Sequence, residues 1–229
     1  MVAIFKREFF QLFKGVKSIL IVLLFLTTSY YAAKFSELLK GTMQLTAEEA
    51  EDIQLLGIML LIWIFGQLFV TSLSHDSINR EIQERTMRFL VTKTTRSSIL
   101  FGKFFGIWMF WFVCMFLSFG VIGFISHHLN FFLFFQALAL LTLQISFVLF
   151  VSVLIPKPSV TMFFGILAGL IFPILGGWLV LTSNPFISWL KYITPYFYVD
   201  DEDYKFLVVF LLAGILVYLA NLVFKRREC

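Results

Sequence analysis

The sequence predicts an all-α integral membrane protein with six transmembrane helices. Of its residues, 60% are hydrophobic and 14% are charged, whereas a soluble domain has about a quarter charged residues. Several apolar runs are long enough for a helix of about 20 residues to cross a bilayer. Because only helices and closed barrels satisfy the backbone inside lipid, these runs predict helical spans.

We predict one transmembrane domain over residues 1–229, with an external loop at 183–205. The spans are predicted at residues 18–33, 53–74, 99–125, 131–154, 160–182 and 206–224. An even number of spans places both termini on the same side of the membrane.

The distribution of basic residues predicts the orientation of these spans. Fourteen of the 18 Lys and Arg residues fall at the termini, near the charged segment 75–98 or in the 155–159 turn, all on one side. The other side carries four basic residues and nine of the 14 acidic ones. Since basic loops stay in the cytoplasm, we expect both termini and segment 75–98 to be cytoplasmic.

An amphipathic helix is predicted before the first span, at residues 2–16. Its apolar side chains share one face, and Lys6, Arg7, Gln11, Lys14 and Lys17 lie largely on the other. Such a helix can lie in the membrane interface, with its basic face toward anionic headgroups. The alternative is an ordinary basic flank before a first span. The apolar face comprises Phe5, Phe9, Leu12, Phe13 and Val16.

The long charged segment, 75–98, predicts a short helix that binds a soluble partner. Its acid-to-base pairs four residues apart are Asp76/Arg80, Glu81/Arg85 and Glu84/Arg88, an order that favours a solvated helix. The apolar residues Ile78, Ile82 and Phe89 recur at helical spacing and form a stripe along this helix. The alternative is a solvated loop that only fixes topology. The predicted docking residues are Ile78, Arg80, Glu81, Ile82, Glu84, Arg85, Thr86, Arg88 and Phe89.

The predicted spans contain few groups suited to chemistry. They hold no acid or histidine, and Lys103 lies close enough to the cytoplasmic edge for its amine to reach water. The neutral residues Gln67, Gln136, Gln144 and Asn221 either hydrogen bond between helices or line a substrate route. No Gly-rich loop followed by Lys-Ser or Lys-Thr is present to bind ATP.

One predicted span contains residues that disturb a regular helix. Pro173, Gly176 and Gly177 lie in the fifth span. They indicate either a kink tolerated by neighbouring spans or a hinge that opens a route.

This layout resembles the permease subunit of an ATP-binding-cassette transporter of the type-2 exporter class. Family members have about six spans, an N-terminal interfacial helix and a charged coupling helix between spans two and three. This sequence departs from their signature at Arg85, where glycine is common, and at Lys93, where proline is common. Asn184-Pro185, Trp189-Leu190 and Thr194-Pro195 resemble the family's external loop, which often dips back into the membrane. The matching signature positions are Glu81, Thr86, Leu90, Arg96 and Gly102-Lys103.

The resemblance implies a subunit that is not itself an enzyme and has no cofactor. A separate cytoplasmic cassette ATPase would bind ATP and Mg²⁺ and dock on the coupling helix. A second permease copy or paralogue would complete the route, within a bacterial plasma membrane. The expected cargo is hydrophobic or amphipathic, such as a peptide, an antibiotic or a lipid-like molecule, moved outward. Membrane lipid is an expected partner, and nucleic acid is not. The alternative function is a non-transporting immunity or scaffold protein.

Overall fold

The computed structural model describes residues 1–43, 47–126, 129–182, 186–199 and 204–226. Over these residues the chain is helical, with no β-strand. The long helices are α1 (Val2–Lys14), α2 (Val16–Met43), α3 (Ala47–Leu60), α4 (Gly66–Ser74), α7 (Arg96–Ser126), α8 (Phe131–Leu154), α9 (Pro158–Leu181) and α10 (Leu207–Arg226). The short ones are α5 (Asn79–Gln83) and α6 (Met87–Lys93).

Six helical stretches in the described part of the chain are long and apolar enough to cross a membrane. The chain is therefore an all-α, multi-pass membrane protein. Spans 1, 3, 4, 5 and 6 are α2, α7, α8, α9 and α10. Span 2 is α3 and α4, joined by a π-helical segment, Leu61–Phe65. Helix α8, Phe131–Leu154, covers the same residues as the predicted span 4.

The first predicted span, 18–33, is too short, and the loop that this prediction implies before the second span, at 34–52, is wrong in extent. Helix α2 continues to Met43 and α3 begins at Ala47, so most of the predicted loop 34–52 is helical. The two helices pack against each other as an antiparallel hairpin. Gln54 Nε2, on α3, donates a hydrogen bond to Ser36 Oγ at 3.1 Å. Acidic residues alone therefore do not end these helices, because pairing with a neighbour extends both.

Local capping defines where several helices begin. The Thr95 hydroxyl accepts a hydrogen bond from the Ser98 N–H at 3.3 Å, at the start of α7. Asn130 Oδ1 accepts from the Leu133 N–H at 3.1 Å, at the start of α8. Pro158 occupies the first turn of α9, where its missing N–H costs nothing.

Helix α8 is the central element of the bundle. Seventy-eight per cent of its most apolar stretch is buried, against 28% to 39% in the other spans. It packs against α4, α7, α9 and α10. Small buried residues such as Ala137, Ala139 and Ser146 allow this close approach. The less buried spans present exposed apolar side chains, as helices in contact with lipid do.

Cysteine labelling in cells tests the predicted orientation. The background is Cys229→Ser, since the other cysteine, Cys114, is buried. Because basic segments remain inside, Arg88→Cys should react with a membrane-impermeant maleimide only after permeabilisation. Glu37→Cys, near the other end of span 1, should react in intact cells. Reaction of Arg88→Cys in intact cells would contradict the orientation.

Candidate functional site

The charged segment between spans 2 and 3 folds as two short helices instead of one. A turn at residues 84–86 separates α5 from α6. Arg85 has a φ of 59°, a left-handed conformation that interrupts an α-helix and is uncommon outside glycine. The prediction of one continuous charged helix is therefore wrong.

One of the three predicted acid-to-base pairs in this segment forms. Arg80 Nη1 lies 3.2 Å from Asp76 Oδ2, with both side chains partly exposed. The Glu81/Arg85 and Glu84/Arg88 pairs do not form between these described side chains. One pair includes Arg85 and the other spans the turn at that residue. Because the turn interrupts the helix, residues four apart no longer lie on the same helical face.

The predicted apolar stripe does not form a single surface. Ile78 is fully buried, and Ile82 is partly buried against the core. Phe89, by contrast, is 72% exposed. Ile78 and Glu81 are buried in the bundle, so they are not available to a docking partner as predicted, whereas Phe89 lies on α6 beyond the turn at Arg85.

Four charged side chains meet beneath α5, and we call Arg7, Glu8, Glu81 and Lys103 the charge cluster. Lys103 Nζ lies 2.6 Å from Glu8 Oε1 and 3.1 Å from Glu81 Oε1. Arg7 Nη1 lies 3.6 Å from Glu81 Oε1 at the edge of the cluster. The Lys103 side chain is 0% exposed, so the prediction that it extends to water is wrong.

Burial makes the members of the charge cluster depend on one another. A buried charge is costly unless it is paired and hydrogen bonded. Lys103 supplies one positive charge to two buried carboxylates, Glu8 and Glu81. The half-exposed Arg7 supplies the balancing charge at the rim. The cluster therefore joins α1, α5 and α7 at one point.

A glycine groove on α7 allows α1 to reach the charge cluster. Gly102 and Gly106 lie one turn apart, on either side of Lys103 along the helix. A Cβ at Gly106 would lie 2.8 Å from the Cβ of Glu8, and one at Gly102 would lie 3.1 Å from the Ile4 side chain. Larger residues would push α1 away, so these glycines position Glu8 against Lys103.

Helix α1 keeps the amphipathic character that the sequence predicts, over Val2–Lys14 instead of 2–16. Its apolar face packs along α7 as well as being partly exposed. The Phe13 ring contacts the Phe110 ring of α7 edge-on, with centroids 5.0 Å apart. Phe5, Phe9 and Leu12 are half-buried, and the basic residues are exposed. The position of α1 in a membrane interface stays a prediction.

A second set of buried contacts holds the other side of α5. The Ser152 hydroxyl of α8 accepts hydrogen bonds from the backbone N–H groups of Ile78 and Asn79, at 3.2 and 3.4 Å. Asn79 is fully buried, and its Nδ2 donates to Thr161 Oγ1 of α9 at 2.7 Å. The start of α5 is thereby fixed to spans 4 and 5.

Arg96 connects the charged segment to the last span. Its Nη1 donates to the carbonyl oxygens of Phe224 and Lys225, at 3.2 and 3.4 Å. These carbonyls belong to the last turn of α10, where a helix leaves acceptors without internal donors. The first turn of span 3 is therefore tied to the end of span 6.

The outer face of the same segment is exposed and carries both signs of charge. Phe89 is exposed on α6, and Ile82 lies at the boundary with the core. Arg80 is partly buried beside Asp76. Five of the predicted docking residues are thus exposed together: Glu84, Arg85, Thr86, Arg88 and Phe89.

At the opposite end of the bundle, the loop between spans 5 and 6, which the sequence predicts to be external, inserts Tyr196 between spans 2 and 5. Tyr196 is 4% exposed, and its ring lies 5.4 Å from that of Trp63 in the π-helical segment. A Cβ on Gly176 would collide with the Tyr196 ring, whereas one on Gly177 would meet open space. The absence of a side chain at Gly176 therefore leaves room for the Tyr196 ring.

The predicted hinge and loop motifs are only partly decided by this geometry. Helix α9 runs through Pro173 without a break. The hinge role of Pro173, Gly176 and Gly177 stays a prediction. In the loop between spans 5 and 6, Ser188–Ile193 and Pro195–Tyr198 are short 3-10 segments. The Asn184-Pro185 motif lies outside the described residues.

The contacts that build this site were not predicted from the sequence. Glu8 follows Ile4 by four residues and precedes Leu12 by four, so an acid on the apolar face of α1 was a usable signal. A second usable signal was a lysine, Lys103, placed between Gly102 and Gly106 in an apolar run. Nothing in the local sequence connects Asn79 with residues on spans 4 and 5.

Comparison with known proteins adds no assignment to this geometry. No family model matches the chain, and no curated protein matches it. Within the described ranges, no three His, Cys, Asp or Glu side chains are grouped to hold a metal ion. The functional argument therefore rests on the contacts described above.

Proposed function

We propose that this chain is the membrane-spanning subunit of an ATP-binding-cassette transporter of the type-2 exporter class. The observation that carries the proposal is the two-sided nature of the charged segment. Its inner face contacts α1, α7, α8 and α9 through buried polar groups. Its outer face, around Phe89, is exposed. A segment that passes motion from a soluble partner to the spans needs both properties.

The contacts support a route for transmitting force. A push on α6 would displace α5, whose Glu81 is paired with Lys103 of span 3. The same displacement would act on span 4 through Ser152 and on span 5 through Asn79 and Thr161. Because packed interiors resist compression, a small shift at α6 would move whole spans instead of being absorbed locally.

The backbone at Arg85 supports the alignment with the family signature. This is the position at which the family commonly has glycine. Among the described residues other than glycine, only Arg85 has a positive φ. Glycine adopts this conformation readily, so the same turn is compatible with both sequences.

The remaining parts of the proposal follow from the resemblance and the composition. A separate ATPase binds ATP and Mg²⁺, and a second permease subunit completes the translocation route. The cargo is hydrophobic or amphipathic and is exported across a bacterial plasma membrane, with both termini in the cytoplasm. The apolar, Phe-rich spans favour such a cargo.

The experiment is co-purification of a cassette ATPase from native membranes with wild type and Phe89→Asp. We expect Phe89→Asp to weaken ATPase binding by about 30-fold and so to reduce the recovered ATPase sharply, since an aromatic anchor in an interface is worth about 2 kcal/mol or more. Glu84→Lys should weaken recovery less and in a salt-dependent way, because exposed charges are screened. Phe89 is a cleaner test than Ile82, whose side chain also packs against the core.

The matched control is Phe186→Asp, at another exposed phenylalanine, in the loop between spans 5 and 6. It should leave ATPase recovery unchanged. Wild-type recovery with Phe89→Asp would contradict docking at α6. If no ATPase accompanies the wild-type chain, the non-transporting immunity or scaffold function is favoured.

A further inference from the structure

A groove lies on the surface of the bundle between spans 3 and 6, above span 4. It has a volume of about 290 Å³. Its lining residues include Phe101 and Phe104 of α7, Thr142 of α8, and Gly214 and Tyr218 of α10. Thr142 is buried, whereas Gly214 and Tyr218 are exposed. The groove therefore has α8 at its base and opens toward the outside of the bundle, where lipid surrounds the spans.

The groove has room for a single hydrocarbon chain. Along α10 it extends from Phe210 to Tyr218, which is about 12 Å from the helical rise per residue. Because an apolar cavity of about 150 Å³ holds a benzene ring, the groove can hold a chain of about ten carbon atoms. Helix α10 packs mainly against α8 and less against α7, so a chain in the groove would fill the space between spans 3 and 6.

The lining of the groove suits an apolar occupant. Apart from Thr142 and Tyr218, the lining side chains are apolar or glycine. The Thr142 hydroxyl is already satisfied, because it accepts a hydrogen bond from Trp108 Nε1 at 2.9 Å and donates one to the Leu138 carbonyl at 2.6 Å. Tyr218 is 60% exposed, so its hydroxyl lies at the open side of the groove. A hydrocarbon chain can therefore occupy the base without leaving a buried polar group unpaired.

Basic side chains lie at one end of the groove. The first turn of α7 meets the last turn of α10 there, where Arg96 Nη1 lies 3.4 Å from the Lys225 carbonyl oxygen. Along the helices, Phe101 lies about 7.5 Å from Arg96, and Tyr218 lies about 10 Å from Lys225. Lys225 shares a face of α10 with Gly214, since eleven residues make about three turns. Lys225 is exposed and forms no ion pair with another residue that the structure describes.

We propose that this groove is a binding site for an anionic phospholipid, with one acyl chain between α7 and α10 and the phosphate beside Lys225. Charge complementarity favours this occupant over a neutral lipid, and Arg96 and Arg226 add positive charge at the same end. In the predicted orientation this end faces the cytoplasmic leaflet, which carries anionic lipid. The inference goes beyond the proposed function and does not rest on it.

The test uses the full chain in phosphatidylcholine nanodiscs that contain phosphatidylglycerol with a photoactivatable diazirine in one acyl chain. Mass spectrometry locates the labelled residues. Labelling at Phe101 and Tyr218 should saturate as the probe fraction rises, because a site becomes filled. Leu219, exposed beside Tyr218 but outside the groove, should be labelled in proportion to the probe fraction. Soluble glycerol phosphate should not compete, since it has no chain. Equal saturation by a phosphatidylcholine probe would overturn the proposal.

Two variants separate the headgroup and the chain parts of the site, and each has a matched control. Lys225→Gln should raise the probe fraction needed for half-saturation by about fivefold, which is the attraction of one lysine to anionic lipid. Lys157→Gln, at an exposed lysine of the turn between spans 4 and 5, should not change it. Gly214→Phe should abolish the saturable labelling of Phe101 by filling the groove. Gly177→Phe should not, although a Cβ at either glycine would meet open space.

The outcomes distinguish a lipid from a second copy of the chain, and this inference from the proposed function. If Gly214→Phe separates a dimer into monomers while labelling of wild type does not saturate, the groove is a contact between chains and the lipid site is wrong. If Lys225→Gln is labelled as wild type is, the phosphate position is wrong, even if ATPase recovery depends on Phe89. If labelling behaves as expected while no ATPase co-purifies, the lipid site stands and the transporter proposal fails.

Discussion

Lys103→Met is expected to destabilise the bundle by about 3–5 kcal/mol, because breaking a buried ion pair leaves its partners unpaired. The substitution would leave the carboxylates of Glu8 and Glu81 without the amine that lies 2.6 and 3.1 Å from them. Unfolding in mixed detergent micelles, followed by helical circular dichroism, measures the effect. Loss of α1 from its groove on α7 should accompany it and appear as faster proteolysis within the first 15 residues.

Two controls distinguish this effect from the loss of any lysine. Lys157→Met removes an exposed lysine from the turn between spans 4 and 5 and should be close to neutral. A triple variant, Glu8→Gln with Lys103→Met and Glu81→Gln, should recover most of the lost stability, since neutral replacements of a whole buried cluster are often tolerated. If Lys103→Met and Lys157→Met were equally stable, the charge cluster would not hold these helices together.

Gly176→Ala and Gly177→Ala are expected to change stability in opposite directions, although the residues are neighbours on α9. The added methyl at Gly176 collides with the buried Tyr196 ring, and overpacking of this kind costs about 1–3 kcal/mol. At Gly177 the methyl meets open space, so the higher helix propensity of alanine should stabilise α9 by about 0.5–1 kcal/mol. The same detergent unfolding assay measures both.

A double variant tests whether Tyr196 is the cause. Gly176→Ala combined with Tyr196→Ala should cost less than the sum of the two single changes, because the colliding ring is gone. Purely additive effects on stability would show that the Tyr196 ring is not what excludes a side chain at Gly176. Equal losses of transport activity from both glycine variants, without loss of stability, would instead favour the predicted hinge at Pro173, Gly176 and Gly177.

The identity of the spans was predictable from the sequence because each one is largely a local property. A helix in lipid satisfies its own backbone, so the length of an apolar run is nearly sufficient to locate it. Helix α8 matched its predicted range of 131–154 for this reason. The prediction failed at 34–52, where α2 and α3 continue as helices because they pack against each other. The composition of either helix alone does not indicate this packing.

The candidate site was predictable only in part. The charged segment and the exposure of Phe89 were anticipated, and so was the amphipathic character of α1. The division of the segment at Arg85 was not, because the acid-to-base spacing on either side of it is that of a regular helix.

The sequence by itself determined that the chain is a helical membrane protein with six spans. It also determined that the basic residues are concentrated on one side of that six-span topology. Only the tertiary structure decided that Glu8, Glu81 and Lys103 meet, and that Ile78 and Asn79 face inward while Phe89 faces outward. The physical reason is that lipid solvates each apolar helix separately, whereas a buried charge takes its partner from whichever helix packs beside it. Residues 8, 81 and 103 come together only when α1 enters the groove at Gly102 and Gly106.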